Sequence, residues 1–143
     1  MRRNLSTLVG LVFTGCLMAA PSALAETIAL KASLNASSEV PSNNSKGTGA
    51  FSGTYDTVSK KLSWTVTYSG LTGNATAAHF HGPAEAGKNA GVAVPIPNIG
   101  TSPTNGSATL TDAQAADLLA GKYYANIHTA VNPGGEIRGQ VIK

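Results

Sequence analysis

Cysteine is nearly absent from this chain: Cys16 is the only one among 143 residues. A single thiol excludes an internal disulfide, so packing and hydrogen bonds must hold the fold together. The Gly-x-Ser-x-Gly nucleophile elbow of hydrolases is also missing. These absences leave little support for nucleophilic catalysis.

Charged residues are scarce as well and make up only 12% of the sequence. Ten Lys/Arg residues oppose seven Asp/Glu residues, and no basic stripe with interleaved aromatic residues is present. Nucleic acid is therefore not an expected partner.

The N-terminal segment has the three parts of a secretory signal peptide. Arg2 and Arg3 form a basic start, an apolar stretch runs from about Leu5 to Ala20, and residues 23–25 have the small-x-small form of a cleavage site. We expect residues 1–25 to be a signal peptide and residues 26–143 to be one secreted or periplasmic domain. Because the apolar stretch is short and has no stop-transfer flank, no membrane span is expected after cleavage.

Two different kinds of leader are weaker alternatives. The sequence "FTGC" resembles a lipoprotein cleavage box ending at Cys16, but Phe13 stands where leucine is usual. Arg2 and Arg3 also resemble a twin-arginine start without the rest of that pattern. Cleavage after residue 25 would remove Cys16 and both arginines, leaving eight Lys/Arg against seven Asp/Glu.

The remaining chain alternates apolar and polar residues with the period of β-strands. In "TIALKASL" and "LSWTVTY" one face is apolar and the opposite face is mainly Ser, Thr or Lys. Further strands are predicted at "AFSGTYD", "ATAAHFH", "VAVPIP", "SATL", "YYANIHT" and "EIRGQVIK", with "VAVPIP" at a sheet edge because of its prolines. About seven or eight such strands predict an all-β sandwich or Greek-key barrel rather than a βαβ sheet.

One segment, "TDAQAADLLAGK", departs from this pattern and predicts a short helix near residues 111–120. Thr111 and Gln114 have the spacing of a capping box. Ala115, Leu118 and Leu119 follow at helical spacing, and Gly121 suits the position that follows a helix.

All three histidines fall in two short segments, "AAHFHGPA" and "YYANIHTAV". On a strand, His79 and His81 point to the same side, with α-carbons about 6.5–7 Å apart. In the second segment His128 shares a face with Tyr124 and Asn126. If the two strands are neighbours, the three imidazoles form a metal site with an open position, which suits copper or zinc.

Two simpler roles for the histidines stay open at the level of sequence. A buried histidine beside backbone carbonyls or Asn126 can serve only to satisfy hydrogen bonds. A His-x-His pair on a solvated strand can also be incidental.

Four ordered motifs resemble the CHRD (chordin) domain: "EVP" at 39–41, "AHFHGPA" at 78–84, "LLAGKYYANIHT" at 118–129 and "GGEIRGQV" at 134–141. The family includes the repeated domains of chordin, an extracellular antagonist of bone morphogenetic proteins, and many secreted bacterial single-domain proteins. The chain resembles the latter. The resemblance implies an immunoglobulin-like β-barrel with limited similarity to Cu/Zn superoxide dismutases.

The resemblance also points to seven polar residues: Glu39, His79, His81, Asn126, His128, Glu136 and Arg138. Since polar residues in apolar strands are costly unless they converge, we expect them to contact one another or a ligand. Glu136 and Arg138 share a face at period two, and a Glu–His–Arg network could fix the imidazole tautomers. The same network could equally be a structural clasp.

Two functions follow as hypotheses. The first is a secreted, non-enzymatic binding module that holds one copper or zinc ion through His79, His81 and His128. The alternative is an extracellular protein-interaction or adhesion domain in which the His–Glu–Arg cluster is structural. Dismutase activity is a distant third, because those enzymes need more histidine ligands than the three present.

Overall fold

The structure is a computed structural model that describes residues 24–143. Most of the predicted signal peptide, including Cys16, lies outside these residues. Within them the strands are β1 (Thr27–Asn35), β2 (Thr48–Asp56), β3 (Lys61–Ser69), β4 (Ala75–His81), β5 (Val92–Pro95), β6 (Thr104–Thr109), β7 (Tyr124–Thr129) and β8 (Ile137–Gln140). A 3-10 turn spans Ala36–Ser38, and helix α1 spans Asp112–Leu119.

The eight strands form one antiparallel sheet in the order β5-β4-β7-β8-β1-β2-β3-β6. The sheet curls into a nearly closed barrel, which brings strands that are distant in this order into contact. Phe80 of β4 packs edge-on against Phe51 of β2 and Trp64 of β3, with ring centroids 5.2 Å apart in both pairs. This confirms the predicted all-β class. It also confirms β5 as an edge strand.

The alternation seen in the sequence places the apolar faces inside. Leu30, Ala32 and Leu34 of β1 are buried, while Lys31 and Ser33 between them are exposed. The same pattern buries the apolar residues Leu62, Trp64 and Val66 of β3. A period of two is therefore sufficient to predict which side of each of these strands faces the core.

The helix prediction is confirmed in detail. The side chain of Thr111 accepts a hydrogen bond from the Gln114 backbone N–H, and the Gln114 side chain accepts one from the Thr111 backbone N–H. Gly121 follows the helix with a positive φ of 74°, which glycine adopts without strain. The Gln114 amide also donates to the Ala93 carbonyl, so the cap attaches the helix to β5.

Strand β6 begins earlier than predicted. The sequence predicts this strand at "SATL", residues 107–110, but Thr104 already pairs with Val66. Gly106 is tolerated inside the strand since the Trp64 ring packs over it, and a β-carbon there would lie 2.7 Å from that ring. Tertiary packing overrides local propensity at this position.

Candidate metal centre

Strands β4 and β7 lie side by side and present all three histidines on the outer face of the barrel. In their register His79 is opposite Asn126, and His128 is opposite Ala77. Phe80, between the two histidines of β4, points into the core and is fully buried. The condition set by the sequence, that the two histidine segments be neighbours, is met.

The three rings converge. Their centroids are separated by 5.4 Å for His79–His81, 5.2 Å for His79–His128 and 6.1 Å for His81–His128. One nitrogen from each ring lies within 4.8 Å of the nitrogens of the remaining two, and all three side chains are partly buried. We call these residues the histidine cluster; within residues 24–143 it is the one group of His, Cys, Asp and Glu close enough to hold a metal ion.

Backbone carbonyls orient two of the rings. His81 Nδ1 lies 3.0 Å from the Ala90 carbonyl oxygen, and His128 Nδ1 lies 2.9 Å from that of Pro133. Because a carbonyl only accepts, each neutral ring carries its proton on Nδ1 and keeps a lone pair on Nε2. Ligand histidines in metalloproteins are fixed in this way.

The unshared nitrogens have few partners in the protein. His81 Nε2 is buried without a hydrogen bond, a condition it shares with one further side-chain atom in the described residues, Trp64 Nε1. His128 Nε2 lies 3.3 Å from His79 Nδ1. With metal–nitrogen bonds of about 2.0–2.1 Å, two nitrogens at neighbouring corners of a tetrahedron lie about 3.3–3.4 Å apart, so this pair already has the spacing of ligands.

Electrostatics favours neutral rings. Burial lowers the pKa of His79, and the rings of His128 and His81 lower it further. Burial also lowers the pKa of His81, with smaller contributions in the same direction from His128 and Arg138, while the hydrogen bond to Ala90 acts in the opposite direction. Neutral imidazole is the form that binds a metal, so these shifts reduce competition from protons.

Arg138 supports the cluster through Tyr124. The Tyr124 ring stacks on His81, with centroids 4.9 Å apart and planes at 4°, and the Arg138 guanidinium carbon lies 4.3 Å from the Tyr124 ring centroid. Asn89 accepts a hydrogen bond from Arg138 Nη1 and donates one to the Val40 carbonyl. Asn89 thereby holds the loop whose next residue, Ala90, orients His81.

Glu39 and Asn126 form a contact beside the cluster rather than within it. Asn126 Nδ2 donates to Glu39 Oε1 at 2.5 Å and to the Ile137 carbonyl at 3.3 Å. Burial raises the pKa of Glu39 to about 7, although Arg138, Asn126 and the Val40 amide act in the opposite direction. Both side chains are buried, Glu39 at 7% and Asn126 at 2% exposure.

Glu136 does not join the network that the sequence suggested for it. Its carboxylate accepts four hydrogen bonds, from the hydroxyls of Ser45, Thr72 and Thr129 and from the Thr72 backbone N–H, at 2.5–2.7 Å. Among the described residues none of its hydrogen bonds involves a histidine. Glu136 immediately precedes β8, so its side chain reaches the loops that flank β2 and β4 instead.

These four residues, Glu136, Ser45, Thr72 and Thr129, form a carboxylate clasp. Burial alone would raise the pKa of Glu136, but the hydrogen bonds from Ser45, Thr129 and Thr72 hold it at about 2. The side chain is completely buried, at 0% exposure. The clasp is therefore a charged structural contact between three separate parts of the chain.

Several contributors to the site carry no clear signal in the sequence. The spacing places Tyr124 on the face of His128 but does not predict its stacking on His81. Asn89 and the carbonyls of Ala90 and Pro133 carry no signal at all, since any residue supplies a carbonyl. The hydroxyls of the clasp are hidden among many Ser and Thr residues.

The family model of the CHRD domain matches residues 30–141. The chain belongs to the CHRD-domain family. All seven polar residues singled out from the sequence lie inside the matched range, and CHRD domains are binding domains rather than catalytic ones. No curated protein and no solved structure matches the chain. Across residues 24–143, none of the helical segments has the length and hydropathy needed to cross a bilayer.

Proposed function

We propose that this CHRD domain is a secreted, non-enzymatic binding module that holds one transition-metal ion, copper or zinc, through His79, His81 and His128. Residues 1–25 are its signal peptide, and cleavage after Ala25 releases the domain of residues 26–143 to the periplasm or the exterior. The face formed by β4 and β7 suits a metal ion because it brings three imidazole nitrogens close together.

One observation carries the proposal: two of the three rings are fixed with their lone pairs on Nε2, and one of those atoms, in His81, is buried without a partner. An orphaned buried acceptor costs about 1–3 kcal/mol in a fold that has no use for it. A bound cation satisfies all three nitrogens at once. A purely structural role for the cluster gives no reason for leaving this atom without a partner.

A structural role does fit the neighbouring residues. Glu136 is saturated by donors from its own chain, and Asn126 is used by Glu39 and Ile137. These contacts support the part of the alternative hypothesis in which the acidic residues stabilise an extracellular interaction domain. They do not involve the nitrogens of the histidine cluster.

The test begins with secretion of the full chain and an intact mass of the product, which reports cleavage after Ala25 and any lipid on Cys16. After dialysis against a chelator, titration with Cu²⁺ and with Zn²⁺ should give about one equivalent bound and a higher thermal midpoint, as mass action requires. His79→Ala and His128→Ala should each abolish binding while remaining folded.

Asn105→Ala, on the exposed surface of β6, is the matched control and should bind like the parent protein. The proposal fails if the parent protein takes up neither metal, or if both histidine variants bind as tightly as the control. Retention of a specific extracellular protein by the metal-free domain would then favour the interaction-domain alternative.

A further inference from the structure

We propose that the histidine cluster selects monovalent copper over divalent ions, because Arg138 places a buried positive charge without an ion pair behind a ligand set that has no negative charge of its own. This inference rests on the proposed metal site and names its ligand. Three properties of the site support it: the charge of the ligands, the charge of Arg138, and the number of ligands.

The ligand set is neutral. Each histidine offers one nitrogen, and no carboxylate belongs to the metal-capable group within residues 24–143. The two buried acids of the described residues are engaged elsewhere, Glu39 with Asn126 and Glu136 with the clasp hydroxyls. With these neutral ligands, the occupied site has a net charge of +2 when it holds a divalent ion and of +1 when it holds a monovalent ion.

Arg138 adds a fixed positive charge close to the site. Its guanidinium carbon is 4.3 Å from the Tyr124 ring centroid, and that centroid is 4.9 Å from the His81 ring, so the carbon lies at most 9.2 Å from the His81 ring centre, the sum of those separations. Arg138 is only 4% exposed. At about this distance and an effective dielectric constant of about 20, each additional unit of metal charge weakens binding roughly 10- to 20-fold.

The guanidinium has no ion-pair partner within residues 24–143, although the Glu39 carboxyl is close enough to interact with it electrostatically. Its hydrogen bonds go to neutral acceptors, the Ser38 carbonyl at 2.6 Å and Asn89 Oδ1 at 2.8 Å. The ion pairs of the described residues, Lys60–Asp112 and Lys122–Glu85, do not include Arg138. Glu39 faces it without pairing, and burial keeps the pKa of that carboxyl at about 7.

The coordination number points the same way. Zinc sites in proteins are almost always four-coordinate, and divalent copper prefers a tetragonal set. Monovalent copper has a filled d shell and a single charge, so it is stable with three ligands. The cluster supplies three nitrogens, and a divalent ion would need water to complete its shell.

The experiment compares the Kd for Cu⁺, measured anaerobically against bicinchoninate, with the Kd for Zn²⁺, measured against a zinc indicator, both at pH 6.5. The readout is the ratio Kd(Zn²⁺)/Kd(Cu⁺), because a merely structural change affects both constants alike. The parent protein should bind Cu⁺ more tightly. Arg138→Gln should reduce the ratio roughly 10- to 20-fold, and Arg138→Lys should retain it.

A second pair of variants keeps the test open if Arg138→Gln does not fold. Asn89→Asp sets a carboxylate against the guanidinium and should also reduce the ratio, whereas Asn105→Asp, which adds a carboxylate on the exposed surface of β6, should leave it unchanged. Lys61→Gln, on the exposed face of β3, is the control for loss of a remote cation.

Tighter binding of Zn²⁺ by the parent protein overturns the inference and leaves the metal site standing. An unchanged ratio in both charge variants also overturns it. If the parent protein binds neither ion, the proposed function fails and this inference fails with it.

Discussion

The carboxylate clasp and the histidine cluster are two polar groups on the outside of the same barrel, and they are built in opposite ways. In the clasp, four donors fill the acceptor positions of the Glu136 carboxylate. In the cluster, the Nδ1 atoms of His81 and His128 donate to backbone carbonyls, so each ring keeps a lone pair on Nε2. A polar group whose hydrogen-bond positions are all filled stabilises the fold, whereas a group with an unfilled position can bind a ligand.

Glu39 lies between these extremes. It is nearly as buried as Glu136, but its carboxylate accepts one side-chain hydrogen bond, whereas that of Glu136 accepts four hydrogen bonds. The pKa of Glu39 is raised to about 7 and that of Glu136 is lowered to about 2. Burial outweighs the few stabilising contacts of Glu39, whereas four hydrogen bonds outweigh burial for Glu136.

The strongest test of this comparison is Glu136→Gln. The variant turns one oxygen into a donor that faces hydroxyl and N–H donors, so it should lower the free energy of unfolding by about 3–5 kcal/mol. Chemical denaturation at pH 7 measures this loss. The exposed Glu85→Gln is the control and should change stability by less than about 0.5 kcal/mol. If Glu136→Gln also changes stability by less than about 0.5 kcal/mol, the carboxylate clasp does not differ from the histidine cluster in its structural role.

Acid should weaken the clasp specifically. The folded pKa of Glu136, about 2, is below its unfolded value of 4.5, so its contribution is present above pH 4.5 and is lost as the pH falls toward 2. The contribution is about 3 kcal/mol. Unfolding curves between pH 7 and pH 2 should show this decline in the parent protein. The same decline in Glu136→Gln would assign it to different groups.

Glu39 should show the opposite dependence. Its folded pKa, about 7, is above the unfolded value of 4.5, so its contribution is present below pH 4.5 and is lost as the pH rises through 7. Glu39→Gln keeps a carbonyl acceptor for Asn126 without the charge. We expect it to be about 2 kcal/mol more stable than the parent at pH 9 and equal to it at pH 4. Equal stability at both values would contradict the raised pKa.

The smallest effect is expected in the metal-free cluster. His79→Ala removes one long hydrogen bond and a partly exposed ring, so it should lower the unfolding free energy by at most about 1 kcal/mol. Denaturation in the presence of a chelator measures this value. A loss as large as that of Glu136→Gln would show that the cluster is itself a structural clasp.

Local patterns predicted much of the fold. The period-two alternation predicted the buried faces of β1 and β3, and the Thr111–Gln114 spacing predicted the helix and its cap. These features depend on contacts between near neighbours in sequence. The spacing of His79 and His81 likewise predicted that both rings share one side of β4.

Contacts between residues that are distant in sequence were harder to predict. The sequence left open whether Glu136 and Arg138 hold the imidazoles or form a structural clasp. In the structure Arg138 contacts Tyr124, which stacks on His81, whereas Glu136 bonds to hydroxyl groups and to no histidine. Sharing a face does not mean sharing partners, since residues two apart on a strand are separated by about 6.5–7 Å. The contacts of Glu136 and Arg138 depend on which loops pack beside each side chain.

The sequence by itself determined the β-class of this chain, the faces of its strands, its helix cap and the residue types available for a metal site. Only the tertiary structure decided that β4 and β7 are neighbours, that Ala90 and Pro133 fix two tautomers, and that Glu136 is satisfied elsewhere. The physical reason is that side-chain direction follows from local backbone geometry, whereas convergence depends on which distant segments pack together.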